Sequence, residues 1–227
     1  MIVIYKEISF AEAERVVKRW HYMPSLPSDT QFNFGAFQNG KLVGAACYGN
    51  VHIPKIPKDF LELRRLVRQP GADFPLSQFV SKTLASLKSR GIPAVLSYAD
   101  PAHHHHGGIY QASNWLHLSS KPQGGIRHSF ITPDGEISHR QAYRVLGTSS
   151  AKRILELKPD WTMKRNLKKY RYAMPLKMRM AKMLKILGVT AIPYPKPHAA
   201  RPSDESLPRD ASAVQPRGAA PLLDLME

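Results

Sequence analysis

The sequence predicts an α/β protein built on one mixed central sheet with helices on both faces. Apolar runs of strand length alternate along the chain with segments of helical period. One continuous apolar run, Ala94-Val-Leu-Ser-Tyr98, is bounded by Pro93 and Pro101, as a buried strand would be. Hydrophobic residues make up 43% of 227, enough for a sizeable core.

Residues 2–8 alternate as a first strand. Ser9 followed by Glu12 is the signature of a capping box. It opens a helix to about Trp20 that would bury Phe10, Ala13, Val16, Val17 and Trp20. His21-Tyr22-Met23-Pro24 ends that helix, because the residue before a proline is pushed out of the helical region. Residues 32–37 and 42–48 flank Asn39-Gly40, a dipeptide suited to a tight hairpin. A fourth strand over 60–67 carries Arg64 and Arg65. A helix over 75–87 has Leu76, Phe79, Val80, Leu84 and Leu87 on its apolar face and stops at Gly91. The strand ending at Tyr98 is followed by a short helix over about 108–114. Strands over 116–118 and 127–132 come next, with Pro133-Asp134-Gly135 as a turn. Residues 139–157 read as helix in two pieces around Gly147, and 169–174 as a late strand. An amphipathic helix over 175–187 sets Leu176, Met180, Met183, Leu184 and Leu187 opposite Lys177, Lys182 and Lys185, with Gly188 as its stop. The organisation that follows is a main domain over 1–175, a basic amphipathic helix over 176–192, and a Pro-rich, disordered tail over 193–227. Strand, long helix, strand, then short helix is the arrangement at the centre of Gcn5-related N-acetyltransferase folds.

Charge narrows the partners. The formal net charge is +16. Residues 195–227 hold four basic and five acidic side chains, so about +17 resides in the first 194 residues. Such an excess on a folded domain favours a polyanion, with nucleic acid ahead of a membrane surface. Between 152 and 185, twelve Lys and Arg are interleaved with Trp161, Tyr170 and Tyr172. Phosphate contact combined with stacking on an exposed base is the chemistry of that pattern. Lys164, Arg165, Lys168, Lys169, Arg171 and Tyr172 are its expected DNA contacts. Cys47 is the only cysteine, which excludes an internal disulfide and a cysteine-based zinc site and fits a reducing compartment. No apolar stretch approaches the roughly 20 residues of a membrane span. Met1-Ile-Val-Ile-Tyr-Lys6 is charged too soon for a signal peptide. A cytoplasmic protein is expected.

The densest functional signal is residues 97–115. Asp100 stands just past the carboxyl end of a predicted strand, where open α/β sheets place their ligands. A carboxylate there serves as general base, metal ligand or helix cap. Ser97 lies on the same strand end. His103 to His106 cannot all bind one metal, since adjacent side chains diverge; His105, two residues before Gly107, is the best placed. Gly107 and Gly108 permit close backbone approach or a tight turn. Tyr110, near the start of the short helix, can hydrogen-bond a substrate, move a proton or bind a hard metal. Trp115 is assigned to the core. His21 and Tyr22 occupy a separate loop. Imidazole, carboxylate and phenolate converging from three loops would suit a metal such as Fe(II). Arg64 and Arg65 alternate faces, so at most one can point at a ligand. Acetyltransferases begin their pantetheine-binding segment here, but the usual Arg/Gln-x-x-Gly-x-Gly/Ala loop is missing. Arg68-Gln-Pro-Gly71-Ala-Asp-Phe-Pro-Leu-Ser77 stands instead. Backbone N–H groups at the helix start near Ser77 would still suit an anion. Arg64, Arg65 and Ser77 are therefore the expected donor-binding residues.

Taken together, Trp20-His21-Tyr22, Phe34-Gly35, Glu62-Leu-Arg-Arg-Leu66, Ser97-Tyr-Ala-Asp100, His105-x-Gly107-x-Ile-Tyr110-Gln-Ala-Ser-Asn-Trp115 and Lys169-x-Arg-Tyr172 resemble the Mom DNA-modification family known from phage Mu. The resemblance spans about 1–175, and the four-histidine run departs from the single histidine of relatives. It implies an acetyltransferase-like fold in a phage or prophage protein that acts in a bacterial host. The implied activity is addition of a carbamoylmethyl group to adenine N6 in double-stranded DNA, shielding it from restriction. It further implies an iron site on His21, Asp100 and Tyr110, with Tyr22 and His105 nearby. A duplex adenine must be flipped out to be reached, and the basic face would hold the strand. Acyl transfer from acetyl-CoA would not give an N–CH2 bond, so the small-molecule donor is open. Two rivals make different demands. An acetyl-CoA-dependent N-acetyltransferase on a protein or small amine would ignore DNA. A non-enzymatic nucleic-acid-binding protein would leave no covalent product.

Overall fold

The computed structural model describes residues 2–103, 105–119, 128–165 and 168–195. They form two compact units. The first comprises the chain to Leu96 with Met174–Arg179; the second comprises Ser97–Ala173 and the segment from Met180 on.

The first unit is a mixed sheet with helices against it. Its elements are β1 (Val3–Glu7), α1 (Phe10–Trp20), β2 (Thr30–Gln38), β3 (Lys41–Asn50), β4 (Leu61–Arg68), α2 (Leu76–Ser89) and the start of β5 (Ala94–Ala99). The strands lie in that order, antiparallel from β1 to β4, with β4 and β5 parallel. The parallel ladder comprises Leu61↔Val95 and Glu62↔Leu96. Asn39 and Gly40 both take positive φ at the β2–β3 turn, 51° and 76°, as a two-residue hairpin turn requires. The element order is the one expected of an acetyltransferase-like sheet.

The capping box forms as the residue types demand: Glu12 N donates to Ser9 Oγ, and Ser9 N donates to Glu12 Oε2. Helix α1 buries Ala13, Val16 and Val17 against Ala45, Cys47 and Val67. Full burial of each valine stabilises by about 1.5–3 kcal/mol. Phe10, expected in this core, is 36% exposed, because the first turn of α1 projects past the packed face. Helix α2 takes the other side. Tyr48, adjacent to Cys47 and so on the opposite face, hydrogen-bonds Thr83 of α2 at 2.5 Å, and Tyr5 stacks on Phe79. Burial pushes the Cys47 thiol up to about 12, so it packs as a small hydrophobe.

Two adjacent arginines fasten the loop between α1 and β2. Arg64 is 6% exposed and grips Asp29 with both terminal nitrogens, at 2.5 and 2.8 Å; it also donates to Asn50 O. Gly49 makes room, since a Cβ there would stand 2.9 Å from Arg64 Nε and from Asp29 O. Arg65 donates through Nε to Ser25 O and through Nη1 to Arg64 O.

The second unit contains the end of β5, a 3₁₀ turn (Pro101–His103), α3 (Gly108–Ala112) and β6 (Leu116–Leu118). It continues with β7 (His128–Thr132), β8 (Gly135–Ser138), α4 (His139–Leu146), α5 (Ala151–Leu157), β9 (Thr162–Arg165), β10 (Tyr170–Pro175) and α6 (Met180–Leu187). β10 pairs antiparallel with β6, setting Tyr172 opposite His117. A second sheet, β8-β7-β9, corrects the expectation of one sheet. It packs Phe130 onto Ala142 of α4 and Ile154 of α5. β9, Thr-Met-Lys-Arg, is exposed throughout, so no apolar alternation marked it. The helix expected from 175 starts at Met180, because Leu176 N and Lys177 N are taken by Pro93 O, at 2.8 and 3.1 Å. The tail beyond 195, expected to be disordered, lies outside the described residues. Among the described residues, no helix is long and apolar enough to cross a membrane.

Burial raises the Asp29 carboxyl, but the hydrogen bonds and charge of Arg64, with His52 beside it, pull it further the other way, and the net shift is downward. A depressed carboxyl stabilises the fold above its unfolded value, near 4, and that contribution is lost as pH falls through the lower folded value. Arg64→Met is expected to lower stability by about 1–3 kcal/mol at neutral pH. Urea midpoints across a pH series check this: the deficit shrinks below pH about 4 as Asp29 takes up a proton.

Candidate active site

β5 delivers the site. Its residues Ala94 to Ser97 are 1% exposed or less, and the chain turns at Asp100, whose carbonyl accepts from His103 N and His105 N, both at 3.1 Å. The Asp100 carboxylate is 13% exposed and lies 2.8 Å, Oδ2 to Nζ, from Lys169. Ser97, buried on the same strand, donates through Oγ to the Tyr110 hydroxyl at 2.8 Å. Tyr110 sits in the first turn of α3. A carboxylate and a hydrogen-bonded phenol are thus each tied to a named partner within the second unit.

What orients α3 is Gly107. It adopts φ +85°, a left-handed conformation costly for other residues, immediately before the helix. A Cβ at this position would penetrate the Tyr172 ring. The close approach lets the Tyr172 hydroxyl donate to His106 O at 2.6 Å. Gln111 Nε2 donates to the same carbonyl at 3.2 Å and lies 3.5 Å from the Tyr172 hydroxyl. Tyr172 is fully buried; burial raises its pKa, partly offset by Gln111, so it stays a neutral donor. Rings run in contact from Trp115 to Tyr110 (5.1 Å between centroids), Tyr172 (4.9 Å), His117 (5.3 Å) and Tyr170 (5.8 Å). His117 Nδ1 meets Pro193 O at 2.7 Å, and the Tyr194 hydroxyl donates to Trp115 O at 2.8 Å. Trp115 is core, as expected.

Among the described residues, no group of three or more His, Cys, Asp or Glu could hold a metal ion. The expected iron set, His21, Asp100 and Tyr110, includes a tyrosine and draws on both units. The Lys169 ammonium already sits on Asp100 Oδ2, and its charge repels a second cation at that carboxylate. His21, in the first unit at the end of α1, has its Nδ1 2.9 Å from Met23 N and 3.2 Å from Met23 O. Its ring stacks on Tyr22 at 4.4 Å. His105 is exposed and its ring lies 6.3 Å from that of His103. His104 lies outside the described residues.

Several of the expected donor and DNA contacts have partners within the protein. Arg64 and Arg65 serve the loop described above rather than presenting themselves to a ligand. Ser77 lies partly buried in the first turn of α2. Lys164 is paired with Glu136 at 2.7 Å, which holds that carboxyl below its usual range. Lys169 is paired with Asp100. Tyr172 is buried, so it cannot stack on a base. The Nε and Nη2 atoms of Arg171 are buried without a hydrogen-bond partner among the described residues. Arg165 and Lys168 are exposed, as phosphate contacts would be. Gln111, the His106 carbonyl and the partnership of Lys169 were not anticipated. The only sequence signal for them was the glycine that follows His106.

Gly107→Ala combines left-handed strain with overpacking against Tyr172. It is expected to cost roughly 2–5 kcal/mol, read as a drop in thermal midpoint and a loss of the α3 arrangement by hydrogen exchange.

The sequence profile of the Mom protein family matches residues 3–196. No curated protein matches the chain. Among solved structures, the ribosomal-protein-S18-alanine N-acetyltransferase from Escherichia coli is similar at 14% identity and a TM-score of 0.48, covering 78% of this chain and 96% of that one. A GNAT-family acetyltransferase from Streptococcus pneumoniae is similar at 12% identity and 0.47, covering 77% and 99%. A probable acetyltransferase from Staphylococcus epidermidis is similar at 8% identity and 0.46, covering 77% and 99%.

Proposed function

This chain belongs to the Mom protein family, and from that premise we propose that it is a DNA-modifying transferase acting on the N6 amine of adenine. The group added is carbamoylmethyl, and its bulk at N6 protects phage DNA from host restriction enzymes. The observation that supports the reading is the pair of groups tied to the end of β5, a carboxylate just past it held by Lys169 and the phenol of α3 held by Ser97.

The chemistry asks for both. Adenine N6 is a weak nucleophile, because its lone pair is delocalised into the ring. Asp100 accepts a hydrogen bond from N6–H and, as the N–C bond to the methylene carbon forms, takes the proton. The donor's leaving group departs with its bonding pair. Tyr110, accepting from Ser97, is in turn the donor that stabilises the negative charge developing on the departing group. The target base must leave the duplex to meet these groups. Exposed cations such as Arg165 and Lys168 supply the sequence-independent hold on phosphates. No step here uses a metal. The donor is an activated carbamoylmethyl compound, since acetyl-CoA supplies an acyl carbon and would give an amide.

Nucleoside mass spectrometry on plasmid DNA from cells expressing the chain tests the reading. A deoxyadenosine about 57 Da heavier is expected, the increment of a carbamoylmethyl group on a flipped-out base. Asp100→Ala is expected to reduce the product by about 10²–10⁴-fold, and Tyr110→Phe by about 10²-fold. Unmodified DNA from well-folded, expressed protein overturns the reading; full modification by Asp100→Ala removes the carboxylate from the chemistry.

A further inference from the structure

Lys169 sits in the most basic stretch of the chain, yet its ammonium is turned onto a carboxylate. The distance is 2.8 Å, with 13% of the Asp100 side chain and 41% of the Lys169 side chain exposed. A carboxylate so withdrawn from water needs a partner in place of its lost hydration. The same stretch of chain is tied to the Asp100 loop a second time, by the Tyr172 hydroxyl on His106 O. Its approach is fixed by Gly107 against the Tyr172 ring. Two links three residues apart, one ionic and one neutral, therefore hold residues 169–172 to residues 100–107. Lys168 and Lys169 are both exposed, and the Lys169 ammonium is nonetheless engaged on Asp100.

We propose that Lys169 is a positioning residue for Asp100, holding the carboxylate as an oriented anion, and not a contact to the DNA backbone. The catalytic half of this rests on the DNA-modification reading above; the half that concerns DNA affinity does not. The two roles leave different traces. A phosphate contact contributes to affinity and to its salt dependence, and its loss flattens the slope of log K against log salt by about 0.9. A positioning residue leaves affinity alone and acts on the chemical step. Arginine is the conservative replacement, keeping the charge and the ability to bridge a carboxylate.

The test measures duplex affinity over a salt series and, separately, kcat and KM for DNA, in wild type, Lys169→Met and Lys169→Arg. Lys168→Met serves as the comparison for an exposed neighbour. Expected for Lys169→Met is duplex affinity within twofold of wild type with an unchanged salt slope. Expected in the reaction is a kcat about 10- to 100-fold lower at unchanged KM, within the range that a misplaced acid–base group costs, and recovery by Lys169→Arg. Retained affinity also shows that the variant is folded. A weaker, flatter salt dependence with kcat intact at saturating DNA overturns the proposal. So does equal loss in the Met and Arg variants. If wild type yields no modified nucleoside, the functional reading fails by itself, and the affinity series still decides whether Lys169 is a DNA contact.

Discussion

The arrangement of the second unit depends on one missing methyl group. Gly107 lies where backbone and the Tyr172 ring come closer than any side chain allows, and its φ of +85° turns the chain directly into α3. From that contact the other distances follow. His106 O comes within reach of the Tyr172 hydroxyl and of Gln111, two donors that fix one carbonyl. Helix α3 is only five residues long and too short to hold itself in water, so its direction is set by those bonds and by the rings around it. Tyr110 then meets Ser97 because β5 and α3 are each fixed independently. The site is rigid through packing on a glycine, and its polar groups are satisfied as a result of that rigidity.

Much of the fold was legible because the signals are local. Ser9 and Glu12 are three residues apart, Asn39 and Gly40 are adjacent, and β5 announces itself as an apolar run between prolines; such signals carry their own geometry. β9 was not legible, since a strand exposed on every residue has no pattern to read and exists only through pairing with β7. The start of α6 was misplaced for a related reason. Helical periodicity runs on through Leu176, but a carbonyl more than eighty residues earlier in the chain captures the amides that would begin the helix.

For the site, the sequence singled out residues 97–115, but which of the charges there are already matched was not legible in it. Ser97 lies on β5, Asp100 directly after it and Tyr110 on α3. The cations were read as one polyanion-binding face because a sequence shows how many charges there are, not which are already matched. Lys164 of β9 meets Glu136 of β8 across the intervening β7, Lys169 meets Asp100, and Arg64 meets Asp29. Each pair joins residues far apart in the chain, so no local rule predicts it. Arg64 and Arg65 show how far this goes. Their alternation implies opposite duties, yet both fasten the same loop, one through its carboxylate and the other through its backbone.

On the proposed reading, in which Asp100 takes the proton of adenine N6, its match with an ammonium bears on how it could act. Ion pairing lowers the basicity of a carboxylate, an evident objection to taking a proton from an amine as weakly acidic as adenine N6. The objection holds only before bond formation. Once the N–C bond begins to form, nitrogen gains positive charge and its proton becomes strongly acidic, so even a weak base receives it. What the early stage requires is an anion fixed in direction, to orient N6–H and to bias the lone pair toward the electrophile, and fixing direction is worth orders of magnitude in rate. An ammonium engages one oxygen through a hydrogen bond and keeps the negative charge on the carboxylate, where the amine proton can reach it.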